Sequence, residues 1–251
     1  ITPGDLGLWN DEQIEPLARI ARFPGDHGAV AAIQLAHAGR KGGIALGWQE
    51  QRSLRAEEGG WTAVAPSAIS FGPGYDVPQV LDEAGIRAVI EQFAAATQRA
   101  REAGFSIVEI HAAHGYLLHQ FLSPVSNQRT DGWGGSFENR TRLTREVVKT
   151  VRAEWPANLP LLIRLSATDW VDGGWNADET VALCRILKEM GVDLVDVSTA
   201  GLVPTARIPV GPGFQTEFAE RIRHEAGLPV AAVGMITSPA QADHIVRSGQ
   251  A

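Results

Sequence analysis

Short apolar segments alternate with amphipathic helical segments through most of the chain, and this alternation restricts the possible folds more than any other feature. Helical periodicity is clearest over 81–104, where apolar residues recur at i, i+3, i+4, i+7 spacing until Gly104 ends the pattern. Strands that alternate with helices predict an α/β fold with a parallel sheet. Five segments have the length and apolar content of buried strands: 29–37, 105–113, 159–166, 192–199 and 228–234.

The remaining segments divide into further helices and two long loops. The sequence "NADE" offers a capping side chain and early acidic residues, which predict the start of the helix over 177–190. Residues 39–80 are rich in Gly and Pro and contain the strand-like "TAVAPSAIS", and residues 113–138 form a second long stretch without periodicity. We expect both as loops on one face of the sheet. Helices are also predicted over 10–22, 139–154, 215–226 and 238–248.

Loops that follow the predicted strands are longer than loops that precede them. This asymmetry favours a (β/α)8 TIM barrel, in which chemistry collects at the carboxyl ends of the strands. An open doubly wound sheet is the alternative, but no G-x-G-x-x-G motif follows any predicted strand to support a Rossmann dinucleotide site. Because a full barrel has eight strands, we expect residues 1–251 to form a single α/β-barrel domain, truncated at both ends and holding about strands 3 to 7.

Composition restricts the partners and the compartment. The 251 residues are 44% hydrophobic and carry a net charge of −7, which argues against a nucleic-acid or anionic-membrane surface. No apolar run approaches the roughly 20 residues that span a bilayer. The only cysteine, Cys184, lies at the apolar phase of a predicted helix, so buried packing is expected rather than catalysis or metal binding. A lone reduced cysteine fits a cytoplasmic location.

Histidines and a tyrosine cluster at the end of the second predicted strand, in "VEIHAAHGY". His111 and His114 are three residues apart and Tyr116 follows, so all three side chains can reach one site. A hydrogen-bonded structural role is the alternative for each residue alone. Two imidazoles can hold a carbonyl oxygen while negative charge develops on it, and a phenol can donate a proton. A zinc site, with Glu109 as a further ligand, is another interpretation.

Three other segments place polar groups near strand ends. Gln34, in "IQLAHAGR", has an amide whose donors and acceptor suit a heterocycle edge with N–H beside C=O. Arg164, in "LLIRLS", needs an anionic or carbonyl partner to offset its desolvation, and a structural salt bridge is the alternative. Gly234 and Met235, in "VGMITSP", turn from the last strand into a helix whose free N–H groups suit phosphate, although an ordinary βα turn explains them as well.

Five of these segments together resemble the old yellow enzyme family of FMN-dependent NADH:flavin oxidoreductases, or ene-reductases. The motif from His111 to Arg142 is highly specific, and histidine at both positions of "HAAHGY" resembles the thermophilic-like bacterial branch. The resemblance covers nearly the whole chain. The segments are "IQLAHAGR", "APSAI", "EIHAAHGYLLHQFLSPVSNQRTDGWGGSFENRTR", "IRLSATDW" and "VDVSTAG".

The resemblance implies a fold and an activity. Members fold as an eight-stranded α/β barrel, bind FMN without a covalent link, take hydride from NADPH or NADH and deliver it to an activated C=C bond. His111 and His114 would bind the carbonyl or nitro oxygen of the substrate, and Tyr116 would donate the proton to the α-carbon. The implied partners are small enone-type molecules, and a homo-oligomer, either a dimer or a tetramer, is expected for the full-length protein.

The resemblance also implies which residues contact FMN. Gln34 would pair with the pyrimidine edge of the flavin, and Arg164 would lie near its N1 and O2 atoms, where reduced flavin carries negative charge. Gly234 and Met235 would supply at most part of a phosphate site. Three more residues lie near the site in the family pattern without an assigned chemical step: His37, Arg40 and Lys41.

Two other interpretations stay open. A dienoyl-CoA reductase or an amine dehydrogenase is the nearest alternative within the superfamily, and such enzymes add an iron–sulfur cluster and further domains. An inactive fragment is the alternative from a different class, because five strands of eight leave sheet edges open and part of the core exposed.

Overall fold

A computed structural model describes residues 1–251, and a parallel sheet of five strands forms its centre. A second, two-stranded sheet pairs β2 with β3 in the segment after β1. Each strand of the central sheet falls inside a segment that the sequence predicted. The strands are β1 (Ala32–Leu35), β2 (Val64–Ala65), β3 (Gln79–Val80), β4 (Ile107–Ala112), β5 (Leu161–Ser166), β6 (Leu194–Ser198) and β7 (Val230–Ala232).

The order of strands in the central sheet distinguishes between the two predicted architectures. The order is β1-β4-β5-β6-β7, and all neighbours are parallel. A doubly wound sheet reverses its strand order at a switch point, whereas strands of a TIM barrel follow one another around the sheet in chain order. The predicted α/β class is therefore confirmed, and the five strands form part of a TIM barrel.

Helices lie before, between and after the strands of the central sheet. Except for Leu117–Leu122, which was predicted as loop, they overlap the predicted segments, with bounds that differ by up to four residues. The predicted helix over 139–154 is divided at Thr141, which lies between two helices. None of the helices combines the length and the hydropathy that a membrane-spanning segment needs. The helices are α1 (Ile14–Asp26), α2 (Glu83–Glu102), α3 (Leu117–Leu122), α4 (Phe137–Arg140), α5 (Arg142–Glu154), α6 (Ala177–Glu189), α7 (Thr216–Ala226) and α8 (Pro239–Arg247).

Helix α6 illustrates how local sequence sets an element and what the element buries. The side chain of Asn176 accepts a hydrogen bond from the Glu179 amide at 3.1 Å, which fixes the start of the helix at the predicted "NADE". Cys184, on the inner face of α6, is completely buried, and burial raises the pKa of its thiol to about 12. Packing is therefore the observed role of this cysteine, as predicted.

The two faces of the central sheet differ in polarity because successive strand residues point in opposite directions. Val108 and Ile110 are fully buried in a core cluster of 41 residues, which the strands share with the helices. The opposite face carries Glu109, Arg164 and Asp196, which are only partly buried. Polar groups therefore collect on the face that the helices do not cover.

The long segment after β4 differs from its prediction as a loop. It contains α3, a helix whose six residues are all buried. The sequence "LLHQFL" has no exposed face, so it lacks the amphipathic period that identifies surface helices. The segment after β1 holds the short β2–β3 pair, an isolated bridge between Ile44 and Ser53, and two 3-10 helices, Gly39–Lys41 and Ala56–Glu58.

Candidate active site

The two predicted histidines and the tyrosine meet at the carboxyl end of β4. The Nε2 atom of His111 lies 3.3 Å from the Nδ1 atom of His114, and the rings are nearly perpendicular, with centroids 5.1 Å apart. The Tyr116 ring packs edge-on to His111 with centroids 5.0 Å apart. The structure therefore brings together the three side chains that the sequence placed at one site.

A left-handed turn at His114 and Gly115 brings the chain back over the end of the sheet. The φ angles of these residues are +56° and +69°. A Cβ atom on Gly115 would lie 2.1 Å from the carbonyl oxygen of Gly201, so only glycine fits here. The amide of His114 donates to the Ser166 hydroxyl at 2.9 Å, which ties the turn to the end of β5.

Two side chains of helix α3 bind the backbone of Gly115, the residue before Tyr116. The Gly115 amide donates to His119 Nδ1 at 2.9 Å, and Gln120 Nε2 donates to the Gly115 carbonyl at 2.7 Å. His119 Nε2 lies 2.8 Å from a carboxylate oxygen of Asp169, and both side chains are completely buried. This contact could not be predicted from the sequence, because no strand or helix spacing links the two residues.

Burial keeps both candidate imidazoles neutral. Burial, with Arg164 as the next cause, lowers the pKa of His111 to about 4. Burial, with His111 as the next cause, lowers the pKa of His114 to about 3. Burial also raises the pKa of the Tyr116 phenol, so that this group keeps its proton at neutral pH. The site therefore offers neutral hydrogen-bond donors beside a protonated phenol.

Lys41 lies beside the turn and contacts its backbone. Its ammonium group donates to the His114 carbonyl at 2.8 Å and also to the carbonyl of Gly201. The same nitrogen lies 4.1 Å from the centroid of the Phe71 ring and 5.4 Å from that of Tyr116. Burial, with Arg40 as the next cause, lowers the pKa of Lys41 to about 8. Lys41 therefore joins the ends of β4 and β6 next to the phenol.

Arg40 and His37 make contacts that organise loops. The guanidinium of Arg40, 2% exposed, donates to the carbonyls of Ile69 at 3.1 Å and Leu202 at 2.6 Å. The His37 carbonyl accepts from the Leu117 amide at 2.9 Å, at the start of α3. Burial lowers the pKa of His37 to about 4, so this ring is neutral too. Both residues lie near the candidate site, and their contacts support its walls.

Gln34 and Arg164 lie on the polar face of the sheet. Gln34 Nε2 donates to Glu109 at 2.5 Å, and Arg164 Nε lies 3.0 Å from a carboxylate oxygen of its register partner Asp196. The salt bridge considered as the alternative for Arg164 is therefore present. Arg164 Nε is nevertheless buried without a well-formed hydrogen bond. The Gln34 amide and the Arg164 guanidinium, whose Nε lacks a well-formed hydrogen bond, together fit the donor and acceptor pattern of a flavin pyrimidine edge.

Glu109 was the additional ligand considered for a zinc site. It contacts Gln34, and burial raises the pKa of its carboxyl group. No group of three or more His, Cys, Asp or Glu side chains in the structure is arranged to hold a metal ion.

Gly234 and Met235 form the turn between β7 and α8. Their φ angles are +116° and +51°, and the Met235 side chain is 49% exposed. The Gly234 carbonyl accepts from the Gly213 amide at 2.8 Å, and the Ser238 side chain caps α8 by accepting from the Gln241 amide. Since β7 is three strands away from β4, this turn is remote from the imidazole pair along the sheet. Its phosphate role stays a prediction.

Ser198, at the end of β6, is a site residue that the sequence analysis did not identify. Its hydroxyl lies 2.7 Å from His114 Nε2 and donates to Gln215 Oε1 at 3.4 Å. Thr199 Oγ1 donates to the same oxygen at 2.5 Å. The carboxyl ends of neighbouring parallel strands meet at one edge of a sheet, so the polar end of "VDVST" was the available signal.

Comparison with known proteins adds sequence relatives that span the whole chain. The NADH:flavin oxidoreductase / NADH oxidase family matches residues 1–251. An NADH:flavin oxidoreductase of Gibberella zeae is 45% identical, and the match covers 99% of this chain and 65% of that protein. An NADPH dehydrogenase of Halalkalibacterium halodurans is 44% identical over 100% of this chain and 69% of its own length. The chain thus spans about two thirds of these relatives.

Solved structures with the same fold include larger enzymes. A 2-naphthoyl-CoA reductase superimposes with a TM-score of 0.86 at 27% identity, and the match covers 98% of this chain and 38% of that one. The old yellow enzyme homologue of Zymomonas mobilis gives a TM-score of 0.78 at 25% identity, covering 98% of this chain and 67% of that one.

Proposed function

Because the chain belongs to the NADH:flavin oxidoreductase / NADH oxidase family, which is the old yellow enzyme family, we propose that it carries the catalytic site of an FMN-dependent ene-reductase. Bound FMN would supply the hydride-transfer chemistry, from NADPH or NADH to the activated C=C bond of an α,β-unsaturated carbonyl or nitro compound. The observation that carries the proposal is the meeting of two neutral imidazoles with a protonated phenol at the end of β4.

His111 and His114 bind the carbonyl or nitro oxygen of the substrate. A substrate oxygen placed beside their facing nitrogens, which are 3.3 Å apart, would lie within hydrogen-bond reach of both rings. Negative charge grows on that oxygen during reduction, and removing one such donor typically costs about 100- to 1,000-fold in rate. Neutral rings suit this role, because each neutral imidazole carries one N–H that can donate.

Tyr116 donates the proton that completes the reduction at the α-carbon. Its raised pKa keeps the phenol protonated, and its ring lies edge-on to His111, next to the oxygen position. Gln34 and Arg164 hold the pyrimidine edge of FMN, and the guanidinium offsets negative charge there. Gly234 and Met235 contribute to the phosphate end of the same cofactor.

The proposal is tested on the full-length protein by comparing two half-reactions with stopped-flow absorbance. Tyr116→Phe is expected to slow the oxidation of the reduced enzyme by cyclohexenone at least ~100-fold, because general acid catalysis is lost. Reduction of the enzyme by NADPH should stay near the wild-type rate. Tyr75→Phe is a matched control, since Tyr75 is the only other tyrosine and packs on Phe71.

Two results would contradict the proposal. The first is equal loss of both half-reactions in Tyr116→Phe, which would show that the phenol is not the proton donor for the alkene. The second is a purified protein that is colourless and cannot be reconstituted with FMN.

The likeness to 2-naphthoyl-CoA reductase favours a second candidate, the reduction of an unsaturated acyl-CoA thioester. The same imidazole pair would then hold a thioester oxygen. This candidate predicts a larger kcat/KM for an enoyl-CoA than for cyclohexenone, together with bound iron and sulfide in the full-length protein. Enzyme without iron that prefers the free enone would exclude it.

A further inference from the structure

Hydrogen bonds link His111, His114 and Ser198 in a series in which each group donates to the next. The Ala113 amide donates to His111 Nδ1 at 3.2 Å, so the proton of neutral His111 sits on Nε2. That N–H faces His114 Nδ1, which therefore accepts, and the proton of His114 sits on Nε2. His114 Nε2 in turn donates to the Ser198 hydroxyl at 2.7 Å. In this state the one N–H between the two facing nitrogens belongs to His111 and is donated to His114 Nδ1, so His114 offers no N–H there.

A substrate oxygen held by both rings needs a second N–H. A neutral imidazole has one N–H and one lone pair, so His114 can donate from Nδ1 only when its Nε2 carries no proton. Double protonation does not solve the problem at neutral pH, because burial opposes the charged form of this ring. The lone pair on Nε2 then requires a donor, and the only side chain in contact with that nitrogen is Ser198.

We propose that Ser198 is a positioning residue that allows His114 to change tautomer when the substrate binds, an inference that rests on the proposed function. Without substrate, the hydroxyl accepts from His114 Nε2 and donates to Gln215. With substrate, the hydroxyl rotates and donates to Nε2, while the Nε2 proton passes to solvent water and another proton from solvent water joins Nδ1 of the half-buried ring. The number of protons is unchanged, and both rings now donate to the substrate oxygen.

The surroundings of Ser198 keep the free-energy cost of this rotation low. Its contact with Gln215 Oε1 is long, at 3.4 Å, and the same oxygen keeps a 2.5 Å hydrogen bond from Thr199 when Ser198 turns away. The serine is 5% exposed, so bulk water does not replace it as a partner of His114. A hydroxyl suits the position because it both donates and accepts with a freely rotating proton.

Two substitutions at this position separate the hydroxyl from the packing. Ser198→Ala removes the hydroxyl and adds no atoms, whereas Ser198→Thr keeps it and adds a methyl group to a buried site. In the full-length, FMN-loaded enzyme, Ser198→Ala should slow alkene reduction about 10- to 100-fold, because a buried polar nitrogen loses its partner. Reduction by NADPH should not change, and Ser198→Thr should keep most of the alkene activity. A role in packing alone predicts the opposite order, with Ser198→Ala near wild type and Ser198→Thr impaired, and that order would overturn the inference.

Nitrogen-15 NMR of histidine-labelled, oxidised enzyme reports the tautomer directly. We expect the His114 proton on Nε2 in the free enzyme and on Nδ1 after cyclohexenone is added, and we expect no such change in Ser198→Ala. The same His114 tautomer in both wild-type states would overturn the inference while leaving the proposed function intact. A wild-type enzyme that does not reduce the enone would overturn the proposed function and the inference together.

Discussion

The buried pair of His119 and Asp169 allows a test of whether this contact stabilises the fold around the candidate site. One Asp169 oxygen accepts from Ser123 Oγ at 2.6 Å and from the Trp175 amide at 2.8 Å, and the other faces His119 Nε2 at 2.8 Å. In Asp169→Asn, the remaining oxygen can keep the first two donors, but an NH2 group then faces the His119 N–H. His119 cannot avoid this clash by changing tautomer, because its Nδ1 accepts from the Gly115 amide.

The expected cost follows from the contacts that are lost. The substituted side chain can keep the donors Ser123 and Trp175, so the cost arises at His119, whose buried N–H then faces another donor instead of a carboxylate. A buried donor left unpaired costs about 1–3 kcal/mol, and we expect Asp169→Asn to lower the free energy of unfolding by that amount. Burial opposes the charged form of Asp169, but His119, Ser123 and Trp175 outweigh it and lower its pKa. The stabilisation is thus present above the unfolded pKa of about 3.9 and is lost as the pH falls through the lower folded pKa.

Guanidinium unfolding of the full-length protein at neutral pH measures this loss. Asp178→Asn is a matched control, because Asp178 is 83% exposed and its ion pair with Arg221 is at the surface. The control should change stability by less than about 1 kcal/mol. If Asp169→Asn costs no more than the control, the buried pair does not stabilise the fold, and the derivation from its contacts is refuted.

Three further predictions concern the turn, the cysteine and the imidazoles. Gly115→Ala places a methyl group 2.1 Å from the Gly201 carbonyl, so alkene reduction should be lost and the melting temperature lowered; near-normal turnover would contradict the geometry of the turn. Cys184 should react with a thiol reagent only after unfolding, and rapid labelling of native protein would show that it is not fully buried. Since His111 and His114 titrate near 4 and 3, alkene reduction should show no step near pH 6.5. Unfolded histidines bind protons below about pH 6.5 while these two do not, so the free energy of unfolding should fall from there towards pH 4.

The sequence predicted the main elements of the fold well. The main helices were found because apolar residues in them recur at helical spacing, and the five central strands because short apolar runs have the length of buried strands. Helix α3 was missed because complete burial removes the helical period. The break at Thr141 was missed because this residue keeps helical backbone angles, so the apolar spacing does not mark it.

The candidate site could be predicted only in part. His111, His114 and Tyr116 are close in the chain, so their cluster was visible without a structure. Ser198 contacts His114 across 84 positions of sequence, and His119 contacts Asp169 across two different elements. Such contacts depend on which strand ends become neighbours and how loops turn there, and single-sequence patterns do not contain that information.

The contacts of Arg40 have a consequence for how such an enzyme could acquire new substrates. The hydrogen bonds of this guanidinium to the segment after β1 go to backbone oxygens, those of Ile69 and Ser70, and its hydrogen bond to the loop after β6 goes to the carbonyl of Leu202. The guanidinium also lies over the Phe71 ring, 5.8 Å from its centroid. These hydrogen bonds do not depend on which side chain stands at position 69. Directed evolution could therefore vary position 69 while the loop keeps its path, whereas Ser70 shapes the loop through its own hydroxyl, which donates to the Tyr75 carbonyl at 2.7 Å. The glycine turn and the helix beneath it leave almost no room for change. Changes in substrate range would then arise in the segment that Arg40 binds, while the reaction would stay the same.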